Sequence, residues 1–269
     1  MHKFSARLAA LALLSAAAPA LAAGDLLVAP TRVVLDGARG TEVILNNIGA
    51  QPATYRISLE LRRMTADGRL DDVAPEAANA KETATLAMIS YAPRRIVLAP
   101  NQPQAIRIGI RPPADLPDGE YRAHMLFRAI PGAAPATATP VREGLSIALT
   151  PIYGVTIPII VRKGSLKAAA SLSGVHMVRD KDGPQLAFTL ARSGDRSTYG
   201  RIRVTRSGID KPLLEVRGIA AYAEISSRTV ALPVDAVVAA KLVGPVKIEY
   251  LEDNDAGGGL IAETSAVLR

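Results

Sequence analysis

Apolar and polar side chains alternate in short segments along most of the chain, and turn residues separate the segments. Within residues 53–64, Tyr55, Ile57, Leu59 and Leu61 fall on one side of an extended backbone. This period of two is typical of a strand with one buried face. Similar segments occupy residues 26–35, 41–45, 86–98, 104–110, 121–130 and 144–162. The pattern predicts about seven strands before residue 165, at the spacing of a β-sandwich.

A second series of segments follows residue 165 and predicts a second sandwich. Its strands are expected at residues 166–178, 185–190, 200–205, 213–216, 228–232, 245–251 and 260–268. No amphipathic stretch is long enough to predict a helix firmly, and residues 234–241 are the best candidate. Residues 71–85 are polar and rich in Ala, so they are expected to form a loop.

Residues 144–162 carry the longest alternation in the chain. Apolar side chains hold the odd positions, beginning with Leu145, Ile147 and Leu149 and continuing to Val161. At about 3.3 Å per residue, one strand of this length would reach roughly 55 Å. One ordinary domain does not need such a strand, so its first half is expected to extend beyond the domain's own sheet. The preceding stretch of Ala, Pro and Thr predicts a loop, and residues 162–165 predict a hinge.

The first 22 residues have the pattern of a secretory signal peptide. Lys3 and Arg7 precede an apolar run at residues 8–18, and the sequence Ala-Leu-Ala at residues 20–22 resembles a signal-peptidase site. The run is shorter than the roughly 20 residues that span a bilayer. No later segment predicts a membrane span. We therefore expect an exported mature chain in the periplasm.

The composition excludes several classes of function. The sequence has no cysteine, which excludes disulfides, thiolate metal sites and cysteine nucleophiles. The formal net charge is +7, and removal of Lys3 and Arg7 with the signal reduces it to +5. The basic residues are scattered and aromatic residues make up only 4% of the chain, so a nucleic-acid partner is not expected.

The titratable residues do not form a catalytic or metal-binding pattern. His2, His124 and His176 lack the spacing of zinc ligands. The sequence contains no Gly-x-Ser-x-Gly motif and no phosphate-binding loop. Residues 253–257 are Asp-Asn-Asp-Ala-Gly but lack the spacing and closing Glu of a calcium loop, so a hairpin turn is expected. We predict no catalytic residue, no metal and no cofactor.

Several motifs together resemble the PapD-like periplasmic chaperones of the chaperone–usher pathway. Thr-Arg-Val-Val-Leu-Asp-Gly at residues 31–37 is similar to the opening strand of that family. The order of strand, Pro-Asn turn and Arg-containing strand at residues 93–110 is also similar, as are Leu-Pro-Asp-Gly-Glu-Tyr at residues 116–121 and Leu-Ser-Ile-Ala-Leu at residues 145–149. The resemblance covers residues 26–165. The second half matches only in its size and all-β character.

The resemblance implies donor-strand complementation, in which the chaperone lends a strand to an incomplete pilus subunit. Leu145, Ile147 and Leu149 would fill the open groove of the subunit. The alternation alone equally allows these side chains to face the protein's own core. The implied partners are pilin-like subunits and an outer-membrane usher, and the free donor strand could also mediate self-association.

The family binds the carboxylate at the subunit's C-terminus with an Arg on the first strand and a Lys late in the donor strand. Arg32 matches the first of these positions. The Lys has no clean equivalent: counting from the donor motif gives Gly154 without a gap and Pro158 with an insertion. Arg162 or Lys163 could substitute. Arg32 could instead be a solvated strand charge.

The expected fold is all-β, with two immunoglobulin-like sandwiches set at an angle and a cleft between them. The implied boundaries are a signal peptide at residues 1–22, a donor-strand domain at residues 23–163 and a second sandwich at residues 164–269. The predicted function is that of a periplasmic chaperone for pilus subunits. The alternative is an exported two-sandwich protein that binds a glycan or a surface.

Overall fold

The computed structural model describes residues 26–37, 39–131, 152–253 and 257–269. In the first half of the chain, it has ten strands: β1 Leu26–Ala29, β2 Val33–Asp36, β3 Thr41–Asn47, β4 Ala53–Met64, β5 Leu70–Val73, β6 Ile89–Ala92, β7 Arg95–Leu98, β8 Gln104–Ile110, β9 Gly119–Ile130 and β10 Gly154–Lys163. A 3-10 turn, Pro75–Ala77, and helix α1, Ala80–Met88, lie between β5 and β6.

These strands form two facing sheets. One sheet has the order β1-β3-β8-β6, and the other has the order β2-β10-β9-β4, with β5 and β7 both on the outer edge of β4. Strand β2 pairs in parallel with β10, whereas the other pairs between these strands are antiparallel. The predicted alternation in β4 is confirmed, because Tyr55, Ile57 and Leu61 are buried in the core between the sheets.

Residues 26–35 form two strands rather than the single kinked strand that the sequence suggests. Strand β1 joins the sheet of β3, and β2 joins the other sheet beside β10. Pro30 lies between them, and a proline has no N–H with which to continue a ladder. The first part of the chain therefore borders both sheets of the sandwich.

The prediction of a loop at residues 71–85 is wrong, and the single strand predicted at residues 86–98 is correct only in part, because residues 89–92 form β6 and residues 95–98 form β7. Residues 70–73 form β5, and residues 80–88 form α1. The side chain of Asn79 accepts a hydrogen bond from the Glu82 N–H, while the Glu82 carboxylate accepts one from the Asn79 N–H. This capping box stabilises a helix whose residues have weak apolar periodicity.

The single long strand predicted at residues 144–162 is corrected in part. Strand β10 begins at Gly154, and Ile152 and Tyr153 lie outside it. Residues 144–151 lie outside the described part of the chain. Within β10, Ile157, Ile159 and Val161 face the core of the first sandwich, as their odd positions predict.

The second half of the chain forms a second pair of sheets. Its strands are β11 Ala168–Asp180, β12 Gly183–Gly194, β13 Thr198–Thr205, β14 Leu214–Ala221, β15 Ser227–Pro233, β16 Gly244–Leu251 and β17 Leu260–Leu268. One sheet has the order β11-β12-β15, and the other has the order β14-β13-β16-β17. Helix α2, Ala236–Leu242, overlaps the best helix candidate and begins after the capping side chain of Asp235.

Each half of the chain has its own hydrophobic core. The first core includes Phe127 and Ile159, and the second includes Phe188 and Tyr250. The predicted all-β fold with two sandwiches is confirmed. Among the described residues, neither of the two helices has the length and apolar character needed to cross a membrane.

Candidate functional site

The outer face of the β2-β10-β9-β4 sheet meets the second sandwich. Side chains at alternate positions of β9 point to this face, so Glu120, Arg122 and His124 lie in a column along it. A small apolar cluster also joins the two sandwiches: Met64 and Ile160 from the first, with Ala220 and Tyr222 from the second. Polar groups in and around this junction are therefore held between two cores.

Glu120 connects the two sandwiches by a buried network of hydrogen bonds. Its carboxylate accepts the Ser197 backbone N–H at 3.1 Å and the Ser197 hydroxyl at 2.9 Å. The Nε of Arg162 donates to the same carboxylate at 3.0 Å. The Glu120 side chain is only 1% exposed, so these donors replace the water that a carboxylate would otherwise bind.

Arg122 makes a second polar connection across the junction. Its Nη2 donates to the Glu224 carboxylate and to the Arg62 carbonyl oxygen, the latter at 2.8 Å. Its guanidinium carbon lies 3.6 Å from the centre of the Tyr222 ring. Because a cation over an aromatic face is attracted by the ring quadrupole, this contact also favours the packed arrangement.

A hairpin of the first sandwich reaches the second sandwich. The turn between β4 and β5 places the Ala66 carbonyl where it accepts the Thr229 N–H at 2.7 Å. The Glu224 carboxylate accepts the Met64 N–H at 2.9 Å. This hairpin therefore binds the second sandwich by one backbone–backbone hydrogen bond and one hydrogen bond from its backbone to a side chain.

Arg32 lies at the same junction, immediately before β2. Its guanidinium carbon is 4.4 Å from the centre of the Tyr199 ring, which belongs to the second sandwich. Its Nε and Nη2 atoms are buried and have no hydrogen-bond partner among the described residues. Burial lowers the pKa of Arg32 and the nearby Arg162 lowers it further, while Glu120 and two tyrosines partly oppose the shift.

The other two basic candidates differ in their partners. Arg162 is close enough to Arg32 for its charge to lower the Arg32 pKa, but its Nε is bound to Glu120. Lys163 donates from Nζ to the carbonyl oxygens of Ala114 and Leu116 in its own sandwich. The structure thus brings Arg32 and Arg162 together, whereas Lys163 binds carbonyl oxygens of its own sandwich.

The strand register shows where Pro158 and Gly154, the two positions considered for a second basic anchor residue, lie relative to Arg32. Ile159 lies opposite Val33, so extending the register by one residue places Pro158 beside Arg32. Gly154 is four residues further along β10, opposite Arg128. Neither position supplies a cation. The donor candidates Leu145, Ile147 and Leu149 lie outside the described residues.

His124 is a buried titratable group that the sequence does not assign to the junction. Neither of its ring nitrogens has a hydrogen-bond partner in the described part of the chain, and the ring meets Tyr222 edge-on with centroids 6.4 Å apart. Burial, with smaller contributions from Arg122 and Arg62, lowers the pKa of His124 to about 3. The imidazole is therefore neutral near pH 7.

Comparison with solved structures finds pilus chaperones. A chain from the pre-assembly complex of the chaperone CsuC with the tip adhesion subunit CsuE, of the archaic Csu pili of Acinetobacter baumannii, is 14% identical over 91% of this chain and 98% of its own length, with a TM-score of 0.46. The CupB2 chaperone of Pseudomonas aeruginosa is 16% identical over 90% and 100% of the two chains, with a TM-score of 0.46.

The solved structures that resemble this chain include chaperones of chaperone–usher pili. A further example, the DraB chaperone of E. coli, is 17% identical over 91% of this chain and 96% of its own, with a TM-score of 0.44. No family model matches the sequence, and no curated protein matches it.

Several residues of the junction could not be assigned a role from their local sequence. Tyr199, Tyr222 and Glu224 lie in the second sandwich, where the resemblance to pilus chaperones gives no motif. Glu120 does fall within the similar Leu-Pro-Asp-Gly-Glu-Tyr stretch, but its contact with Ser197 spans 77 positions of sequence. Within the described ranges, no group of three or more His, Cys, Asp or Glu residues could hold a metal ion.

Proposed function

We propose that this protein is a periplasmic chaperone that binds incomplete pilus subunits by donor-strand complementation and delivers them for assembly at an outer-membrane usher. The proposal rests on Arg32, whose Nε and Nη2 atoms are buried and lack a hydrogen-bond partner among the described residues. Two buried guanidinium nitrogens without hydrogen-bond acceptors are costly, and a carboxylate is the acceptor that fits them best. The terminal carboxylate of a subunit would provide it.

The surroundings of Arg32 support this role. Arg162 adds positive potential beside Arg32, and Tyr199 fixes the guanidinium from the second sandwich. Because both sandwiches contribute to the site, their relative position determines where the C-terminus of a bound subunit would lie. Strand β10 extends along the sheet edge between this site and Gly154, its first residue.

The donor segment remains part of the proposal. Leu145, Ile147 and Leu149 precede β10, and their alternate spacing suits insertion into a groove between two sheets. In this proposal residues 1–22 are a cleaved export signal, residues 23–163 carry the donor strand, and residues 164–269 form the second domain. The function is binding and delivery without catalysis.

Capture of a pilin-like subunit tests the proposal. The protein, co-produced with an incomplete subunit from its own gene neighbourhood, should copurify with it one-to-one. Arg32→Ala should reduce capture at least about tenfold, since a hydrogen bond to a charged group is worth about 1.5 to 3 kcal/mol. Arg107→Ala is the matched control, because Arg107 is exposed on the sheet that does not contain β2, and its salt-bridge partner among the described residues is Glu42 on the neighbouring strand.

Two results would contradict the proposal. If the wild-type protein captures no incomplete subunit, the chaperone function fails. If Arg32→Ala captures subunit as well as Arg107→Ala does, Arg32 is not the anchor. If the protein alone, without any subunit, binds glycans on an array, the adhesive alternative is favoured instead.

A further inference from the structure

Strand β4 has a gap on its outer edge. Strand β7 pairs with it as far as Arg56, and β5 begins to pair at Leu61. Between them, the Ile57 N–H donates across this edge to the Arg94 carbonyl at 2.9 Å. Because strand residues two apart direct their peptide groups to the same side, the Leu59 N–H also faces this edge, where the described residues provide no strand partner.

A pocket of about 380 Å³ opens at this gap. Its wall is about as polar as it is apolar, and the apolar part includes Leu59 from β4, Leu86 from α1 and Tyr91 from β6. The Tyr91 hydroxyl donates to the Ile57 carbonyl at 3.3 Å, which fixes the ring beside the opening. The pocket therefore leads from the sheet edge toward the space between the two sheets.

Arginines without acidic partners surround the opening. Arg56 and Arg94 line it, and Arg56 lies directly opposite Arg95 on β7 and Arg128 on β9. All four side chains belong to exposed residues, and none makes a salt bridge within the described ranges. Like charges directly opposite each other on neighbouring strands are unfavourable, and of these four side chains only Arg56 and Arg94 line the pocket, so these two are placed to bind a counter-anion there.

We propose that this pocket binds a single-chain anionic amphiphile, with its carboxylate at Arg56 and Arg94 and its alkyl chain against Leu59, Leu86 and Tyr91. The exposed guanidinia and the open Leu59 N–H supply donors for a carboxylate at the rim. The apolar part of the wall takes the alkyl chain. At about 30 Å³ for each water-sized group, the pocket holds on the order of ten non-hydrogen atoms, which suits a medium-length chain.

Decanoate is the probe for this site. Titration below its micelle concentration should give saturable one-to-one binding in a calorimeter, with the Leu59 amide among the NMR signals that shift. Decanol and decyltrimethylammonium have the same chain without the anion and should bind at least about tenfold more weakly, because the charge-assisted hydrogen bonds are lost.

Neighbouring arginines provide the matched variants. Arg94→Gln and Arg56→Gln should each weaken decanoate binding about tenfold. Arg95→Gln removes an equally exposed charge that does not line the pocket, and binding should stay within about twofold. Both pocket variants change exposed side chains, so folding should be retained, and a thermal melt verifies it.

Three outcomes would overturn the proposal. Decanoate could fail to bind saturably. Arg95→Gln could weaken binding as much as Arg94→Gln, which would indicate attraction to the general positive surface. The protein could bind vesicles of anionic phospholipid but not free decanoate, which would identify a membrane surface rather than a free amphiphile. None of these outcomes depends on capture of a pilus subunit.

Discussion

The carboxylate of Glu120 in the first sandwich is bound by both the backbone N–H and the hydroxyl of Ser197 in the second. Both residues are buried, so the contact lies inside the junction rather than at its rim. A carboxylate with three donors around it is stable without water. Loss of one donor should therefore be measurable as a loss of folding free energy.

Ser197→Ala tests this contact. The substitution removes one hydrogen bond to a buried charged group and should lower the free energy of unfolding by about 1.5 to 3 kcal/mol in chemical denaturation. Ser173→Ala is the control, since Ser173 is exposed on β11. Equal effects of the two substitutions would show that the Glu120 contact contributes little to stability.

His124 should make the stability of the protein depend on pH. Its pKa is lowered to about 3 in the folded state, whereas an unfolded His titrates near 6.5. The unfolded chain therefore binds more protons between these values, and stability is lost as the pH falls below about 6.5.

Denaturation of the wild type and of His124→Gln at two pH values measures this effect. Between pH 6.5 and 5, the wild type should lose about 1.6 kcal/mol more than His124→Gln does. His176→Gln is the control, because His176 is exposed on β11. A wild-type pH dependence that survives in His124→Gln would assign the proton uptake to other groups.

Ile147→Asp tests the donor segment, which lies outside the described residues. A side chain that fills a subunit groove contributes about 1.5 to 3 kcal/mol there and nothing to the free protein's core. The variant should lose subunit capture and keep its melting temperature. Ile157→Asp is the comparison, because Ile157 is 2% exposed in the first core and its charged replacement should unfold that sandwich. A large fall in melting temperature for Ile147→Asp would refute the donor role.

Gly200 should not tolerate a larger residue. A Cβ at this position would lie 1.9 Å from the Leu251 carbonyl oxygen on the neighbouring strand β16. Gly200→Ala must therefore shift backbone and should cost about 1 to 3 kcal/mol of stability. At Gly259 the nearest atom would be 3.5 Å away, so Gly259→Ala should change stability by less than about 0.5 kcal/mol. A thermal melt of both variants separates a steric effect from a general cost of replacing glycine.

The strands were predictable where one face is buried. Alternation identified β4 and β8, and the series of apolar segments between turns identified the strands of the second sandwich, although register shifts interrupt the alternation in β11 and β14. Helix α1 was missed because Ala and Thr occupy much of it, so apolar periodicity is weak. The signal that could have identified it is Asn79 followed three residues later by Glu82, the capping box.

The candidate site was only partly predictable. The resemblance placed importance on Arg32, but a sequence does not report which groups surround a side chain. Tyr199 is far from Arg32 along the chain and meets it only because the two sandwiches pack together. The same packing gives His124 its environment, which its isolated position in the sequence does not indicate.

The hairpin between β4 and β5 has a consequence for how the two halves of the chain depend on each other. Its hydrogen bond from Thr229 to Ala66, with the Glu120 and Arg122 contacts, connects the sandwiches independently of the peptide link after Lys163. Each half also has its own core. A chain cleaved between Lys163 and Gly164 should therefore remain one particle, and two separately produced fragments should reassemble, which makes this protein suitable for split-protein complementation.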